Sequence, residues 1–141
     1  MKAADLMIGD WVGRVFDDKR IIEDYRQVDW IRTGEIGMRY QKVWAIGCIE
    51  PILLTPEILE KNGFERSVII PSKFYRNTDN ERLIFCSYGS CYGLGYVHWN
   101  ESNDADIMHR LEVQQPIMYI HQMQHALRLF GLDQLADNFK V

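Results

Sequence analysis

The chain is poor in cysteine, in clustered positive charge and in unbroken apolar sequence, and each shortage removes a class of protein. Its three cysteines, Cys48, Cys86 and Cys91, are an odd number and too few for a disulfide framework, which agrees with a reducing compartment. Every apolar stretch is broken within a few residues by Gly, Glu, Arg or Lys, so no membrane-spanning segment is expected. The opening Met1-Lys2-Ala3-Ala4-Asp5 lacks the apolar core and cleavage site of a signal peptide, and the expected location is cytoplasmic, with no membrane partner. Sixteen Lys and Arg face twenty Asp and Glu, a net charge of −4, and no segment is basic. Duplex nucleic acid held nonspecifically needs clustered cations to displace counterions, and that signal is missing at the level of whole segments. A local patch of Arg26, Arg32, Arg39 and Lys42 would form if neighbouring strands brought those side chains together.

What is present is the balance of an ordinary soluble domain: 47% hydrophobic and 26% charged residues over 141 positions, enough for a sizeable core. One compact domain over 1–141 is expected, with possible subunits at 1–54 and 55–141. The fold class is α+β: an N-terminal antiparallel β unit, a short capped helix, then a second antiparallel sheet packed by a C-terminal helix. Leu6 to Ile52 reads as consecutive strands, with turns at Asp17–Arg20 and Thr33–Glu35, and Val43–Ile52 closing the set. The opening Ile8-Gly9-Asp10-Trp11-Val12 looks like the first strand of an SH3-like barrel, where glycine permits a bend.

Between the β regions, Thr55-Pro56-Glu57 and Asn62-Gly63-Phe64 mark both ends of one short helix. Thr55 caps, Pro56 suits the first helical position, Glu57 meets the positive end of the dipole, and a left-handed Gly63 turns Phe64 back towards Leu59 and Leu54. Ser67–Tyr75, Arg82–Tyr88, Tyr92–Trp99 and Met108–Val113 read as strands, and Asn100–Asp106 as a polar loop. Pro116 is expected to start the last helix, with Ile120, Met123, Leu127 and Phe130 on its core face. His121, Gln124, His125 and Arg128 fall on the opposite side, and Gly131 ends the helix.

The chemistry-bearing patterns are weak. His121 and His125 have the i, i+4 spacing of a metal pair, but Gln122 stands where a zinc protease has its glutamate, and no third ligand is evident. Cys86 and Cys91 with His98 or His109 have the wrong spacing for a zinc ribbon and form a generic thiol–imidazole pairing. No catalytic residue, metal or cofactor is therefore assigned. Tyr88, Tyr92, Tyr96 and Trp99 sit in a glycine-rich segment that fits no phosphate-binding fingerprint. They are expected to pack across strands of a hairpin, with an aromatic platform for a partner or for unstacked bases as the functional alternative. On a helix begun at Pro116, Met118, Gln122 and Leu129 project together beside His125. Arg128 is the only formal charge before Leu132, which is the composition of a contact surface unless the N-terminal β unit covers it.

Three segments carry a resemblance: the central Pro51-Ile52-Leu53-Leu54-Thr55-Pro56-Glu57-Ile58-Leu59-Glu60-Lys61-Asn62-Gly63-Phe64, the opening Leu6–Val12, and the closing Tyr119–Leu132. Together they resemble a group of small uncharacterised proteins of prophages and other mobile elements in gut bacteria. That group has no established activity, so the resemblance implies a context and no catalytic residues. The segments from Cys86 to Tyr96 and from Asn100 to Asp106 lie outside its pattern. The expected function is a non-enzymatic accessory or adaptor protein acting by macromolecular binding, with a protein partner favoured over nucleic acid and self-association open. A nucleic-acid-binding module using aromatic and Arg side chains on strands is the alternative, and a Cys/His enzyme the third reading.

Overall fold

The computed structural model describes residues 2–15, 22–40, 42–77, 81–88, 91–98 and 116–141. The α+β class is as expected, in two compact units: one of residues 1–53 with 119–139 and 141, the other of residues 54–118 with 140.

The first unit is built on β1 (Trp11–Val15), β2 (Ile22–Arg32), β3 (Glu35–Met38), β4 (Lys42–Ala45) and β5 (Ile49–Glu50). They form a five-stranded antiparallel sheet in the order β4-β3-β2-β1-β5. No β4–β5 pairing closes it into a barrel among the described residues. The long β2 serves both halves: its inner end pairs with β1 and its outer end with β3, and the register slips between Val28 and Trp30 where it changes partner. Leu6, Val12, Val28, Ile36, Met38, Trp44 and Ile49 bury themselves together, a core drawn from all five strands and the segment before them. The expected strand from Val43 to Ile52 is interrupted. A 3-10 turn at Ile46–Cys48 around Gly47 separates β4 from β5, and this turn lets β5 return to pair with β1.

The same unit holds the closing helices, α2 (Ile120–Leu129) and α3 (Asp133–Asp137). α2 begins four residues later than Pro116. Tyr119 is extended and forms an isolated antiparallel bridge with Leu53, so the stretch before Ile120 behaves as strand. Gln122 Oε1 reaches back to accept from Tyr119 N–H at 3.1 Å and so fixes the first turn. The core stripe of Ile120, Met123 and Leu127 is buried as expected, but so are His121 and Gln124. Of the two alternatives open for the polar side of α2, cover by the N-terminal unit applies at Gln124 and His125, because the segment around Gly9 and Asp10 lies on them. Leu132 N–H bonds back to Leu127 C=O, ending α2 at Gly131.

The second unit contains α1 (Pro56–Lys61), β6 (Glu65–Arg66), β7 (Lys73–Asn77), β8 (Glu81–Tyr88) and β9 (Cys91–His98), with a four-stranded antiparallel sheet in the order β6-β7-β8-β9. α1 has the ends its sequence writes. Thr55 Oγ1 accepts from Ile58 N–H, Gly63 is left-handed at φ 77°, and Phe64 N–H returns to Leu59 C=O, burying Phe64 with Leu54 and Leu59. A hydrogen bond from Thr55 is the main cause that holds the Glu57 carboxyl below its ordinary value. Ser67–Tyr75 is not extended throughout. Residues 67–72 form a loop in which Ser67 Oγ accepts from Ile70 N–H and Arg66 Nε donates to Pro71 C=O. The Cys86–Tyr96 segment runs as the β8–β9 hairpin, Cys86 opposite Gly93 and Tyr88 opposite Cys91. The expected turn at Asp17–Arg20, the loop at Asn100–Asp106, the strand at Met108–Val113, and Trp99 and His109 lie outside the described residues.

Candidate functional site

Two groupings of polar and aromatic side chains stand out, both in the first unit. The first centres on Asp10, which is fully buried. A buried carboxylate is tolerable only when charged or polar donors surround it. Gly9, left-handed at φ 89°, aims the loop so that Asp10 meets three of them: Met7 N–H at 2.8 Å, His125 Nε2 at 2.7 Å and Arg128 Nη1 at 2.8 Å. Arg128 also donates to Asp137 Oδ1 at 3.0 Å. Burial alone would lower the Arg128 pKa, and its bonds to Asp10 and Asp137 outweigh that and raise it. A Cβ on Gly9 would lie 2.8 Å from Arg128 Nη2, so a side chain there would push the guanidinium from its place and strain the left-handed backbone. Beside this cluster Gln124, also fully buried, accepts from Trp11 N–H at 2.9 Å and donates to Gly9 C=O and Ala136 C=O. Four of these hydrogen bonds clasp the opening loop to the closing helices.

This clasp consumes the side chains that looked most chemical. His121 stacks on Tyr119 at 5.8 Å between centroids and meets His125 edge-on at 5.9 Å. Its Nδ1 is buried with no hydrogen-bond partner, and burial lowers its pKa, partly opposed by the Asp10 carboxylate. His125 Nε2 is directed at Asp10 and not at an open space shared with His121. Among the described residues no group of three or more His, Cys, Asp or Glu is arranged to hold a metal ion.

The second grouping is a cleft of about 180 Å³ lined by Trp11, Tyr25, Arg26, Gln27, Arg39 and Tyr40. Its floor is fixed. Trp11 Nε1–H donates to Phe139 C=O, and Gln27 Nε2–H donates to Asp137 C=O at 2.9 Å. Its walls are open: Tyr25 is 44% and Tyr40 85% exposed. Tyr40 is the one non-glycine described residue with positive φ, at 70°, a conformation that L side chains enter at a cost. The β2–β3 and β3–β4 pairings bring Arg39 to this cleft, where Arg39 N–H bonds to Gln27 C=O. Of the four cations expected to gather, Arg26 and Arg39 line the cleft, and Lys42 joins Arg26 on Asp24 at 3.0 and 3.2 Å. Arg32 lies over the Trp30 ring, 4.9 Å from its centroid.

Of the four residues expected to form a contact surface, Gln122, His125 and Leu129 lie on α2 at helical spacing and Met118 lies before it. Leu129 is 80% exposed, His125 is bound to Asp10, Gln122 closes the first turn, and Met118 precedes the helix in the extended stretch, its C=O accepting from Leu54 N–H. Tyr88, Tyr92 and Tyr96 lie on β8 and β9; their side chains, and Trp99, fall outside the described residues. Sequence alone shows neither Asp10 as the partner of the last helix, nor Gln124 as its buried link to Gly9 and Trp11, nor the aromatic neighbours of Arg39. A Gly-Asp pair ahead of a strand, and a helix with a polar but almost uncharged face, were the available signals. No protein-family model, curated protein or solved structure matches the chain. No helix among the described residues is long and apolar enough to cross a membrane.

Proposed function

We propose that the protein is a non-enzymatic accessory protein, in the setting of a phage or mobile element, that works by holding a protein partner. The observation that carries this reading is the β6–β7 loop of the second unit. Val68 and Ile69 at its tip are 97% and 90% exposed, and Ile70 beside them is partly exposed. Three consecutive β-branched apolar residues on a soluble surface are unusual, and contiguous exposed apolar groups mark interaction sites. The loop is not slack: Ser67 N–H and Lys73 C=O close it, and Lys73 N–H returns to Ile70 C=O. A tip ordered before binding loses little conformational entropy on docking.

The test is Val68→Asp together with Ile69→Asp, compared with wild type by light scattering and by capture from cells that carry the source element. Loss of a retained protein, or of a dimer if a second copy is the partner, at unchanged melting temperature is the expected result. A wild-type protein that stays monomeric and retains nothing, or a variant that retains the same partner, overturns the reading.

A further inference from the structure

The cleft of the first unit points to a second kind of partner, independent of the loop at Val68–Ile70. We infer that Trp11, Tyr25, Tyr40, Arg26 and Arg39 form a binding site for single-stranded nucleic acid, with one unpaired base entering the cleft and an adjoining phosphate meeting Arg39.

Three features select this ligand. The first is the pairing of residue types. An acidic peptide would find Arg39 and Arg26 but has no need of three rings, and an apolar peptide would find the rings but has no need of an unmatched cation. A nucleotide uses both, because every base has a π-face and every linkage a negative charge. The second is size. A volume of about 180 Å³ is below the roughly 300–1,000 Å³ of pockets that enclose a whole small molecule, so it suits one planar ring of a longer chain that continues outside. The third is rigidity set against exposure. Trp11 and Gln27 are held from behind by Phe139 C=O and Asp137 C=O, whereas Tyr25, Arg39 and Tyr40 face solvent, and no ion pair among the described residues engages Arg39.

Duplex is disfavoured by the same inventory. Arg26 already shares Asp24 with Lys42, which leaves Arg39 as the uncommitted cation of the cleft, too little charge to hold two phosphate rails. Tyr40 adds a further observation. A tyrosine held left-handed and 85% exposed has neither favourable backbone nor burial to explain it, and residues strained in this way concentrate at binding sites.

Fluorescence anisotropy with a labelled oligothymidylate of about 12 nucleotides, within the roughly 4–16 that single-strand sites span, tests the inference. The full chain should bind saturably, with log K falling against log salt at a slope of about −0.7, as one phosphate contact through the uncommitted Arg39 requires. Tyr40→Ala should weaken binding by about tenfold or more, the effect of losing one stacking ring, while Tyr40→Phe keeps it. Arg39→Ala should weaken binding and flatten the salt slope. No saturable binding, equal binding by Tyr40→Ala, tighter binding of a duplex of the same length, or equal competition by polyglutamate would each overturn the inference. Unchanged melting temperatures of the three variants confirm that the site and not the fold was altered, and Val68→Asp/Ile69→Asp should bind the oligonucleotide as wild type does.

Discussion

The clasp around Asp10 and the cleft beside Trp11 are built from the same strand and the same C-terminal tail, yet they use polar groups in opposite ways. In the clasp, Asp10, Gln124 and Arg128 give their hydrogen-bonding capacity to partners in the chain, and Asp10 and Gln124 are shut off from water. In the cleft, Trp11 and Gln27 are satisfied from behind, while Arg39, Tyr25 and Tyr40 present theirs outward. Polar side chains buried and fully partnered specify the fold; polar side chains held in place and left open are what a ligand can use. A histidine–carboxylate contact at 2.7 Å would ordinarily suggest acid–base chemistry. Here the carboxylate is buried, with one oxygen facing Arg128 and the other facing Met7 N–H and His125, so its role is attachment.

The comparison breaks first at Asp10. Asp10→Ala removes the acceptor shared by His125, Arg128 and Met7 and leaves a guanidinium largely buried without its main counter-ion. Removing one member of a buried ion pair costs about 3–5 kcal/mol, so the unfolding midpoint in denaturant should fall by that equivalent. Arg39→Ala on the cleft wall should change it by less than about 0.5 kcal/mol, the range of exposed substitutions. Similar losses from both variants would erase the distinction between the two sites.

Neither site was as legible in the sequence as the short helix α1. The ends of α1 are readable because each signal acts within about one turn: Thr55 on Ile58, Gly63 on Glu60 and Phe64 on Leu59. The pairing of Arg128 with Asp10 spans 118 positions, and no local pattern encodes it. Sequence does show that the outer side of α2 carries little charge, which separates a covered face from a solvated one. It does not show what covers it, and here the cover is the loop at Gly9–Asp10. The cleft is hidden for a related reason: Trp11, Tyr25–Gln27 and Arg39–Tyr40 are unremarkable until strand pairing places β1, β2 and the β3–β4 turn side by side. Strand existence follows from alternation, whereas which strands become neighbours is decided by the tertiary fold.

A smaller effect sharpens the account of the clasp through pH. Burial holds the His121 imidazole below its ordinary value of 6.5, with Asp10 and His125 as the charged and titratable neighbours. The unfolded chain therefore takes up a proton at this position before the folded one does. Stability contributed by the neutral ring is complete above about pH 6.5 and is lost as the pH falls from there through the lowered folded-state value. His121→Phe keeps an aromatic ring to stack on Tyr119 and removes both the titration and the unpartnered Nδ1. Denaturant unfolding across this range should give a shallower decline for the variant than for wild type. Equal slopes would mean that His121 is solvated in the folded protein.

The smallest expected change has the opposite sign. Tyr40→Gly relieves a left-handed backbone that costs a non-glycine residue about 1 kcal/mol, and the ring it removes is 85% exposed, so little packing is lost. Part of the gain is offset because glycine gives the unfolded chain more freedom, which leaves a net stabilisation of about 0.5 kcal/mol. A residue kept against stability on an open surface implies that its side chain serves something other than the fold. The variant should therefore melt at the same temperature as wild type or slightly higher, while losing affinity for the single-stranded oligonucleotide. A lower melting temperature would show that the Tyr40 ring packs against the cleft floor in the free protein. Tyr40 would then belong with the clasp, as a residue whose contacts hold the fold, and the contrast between the two sites would have to be drawn without it.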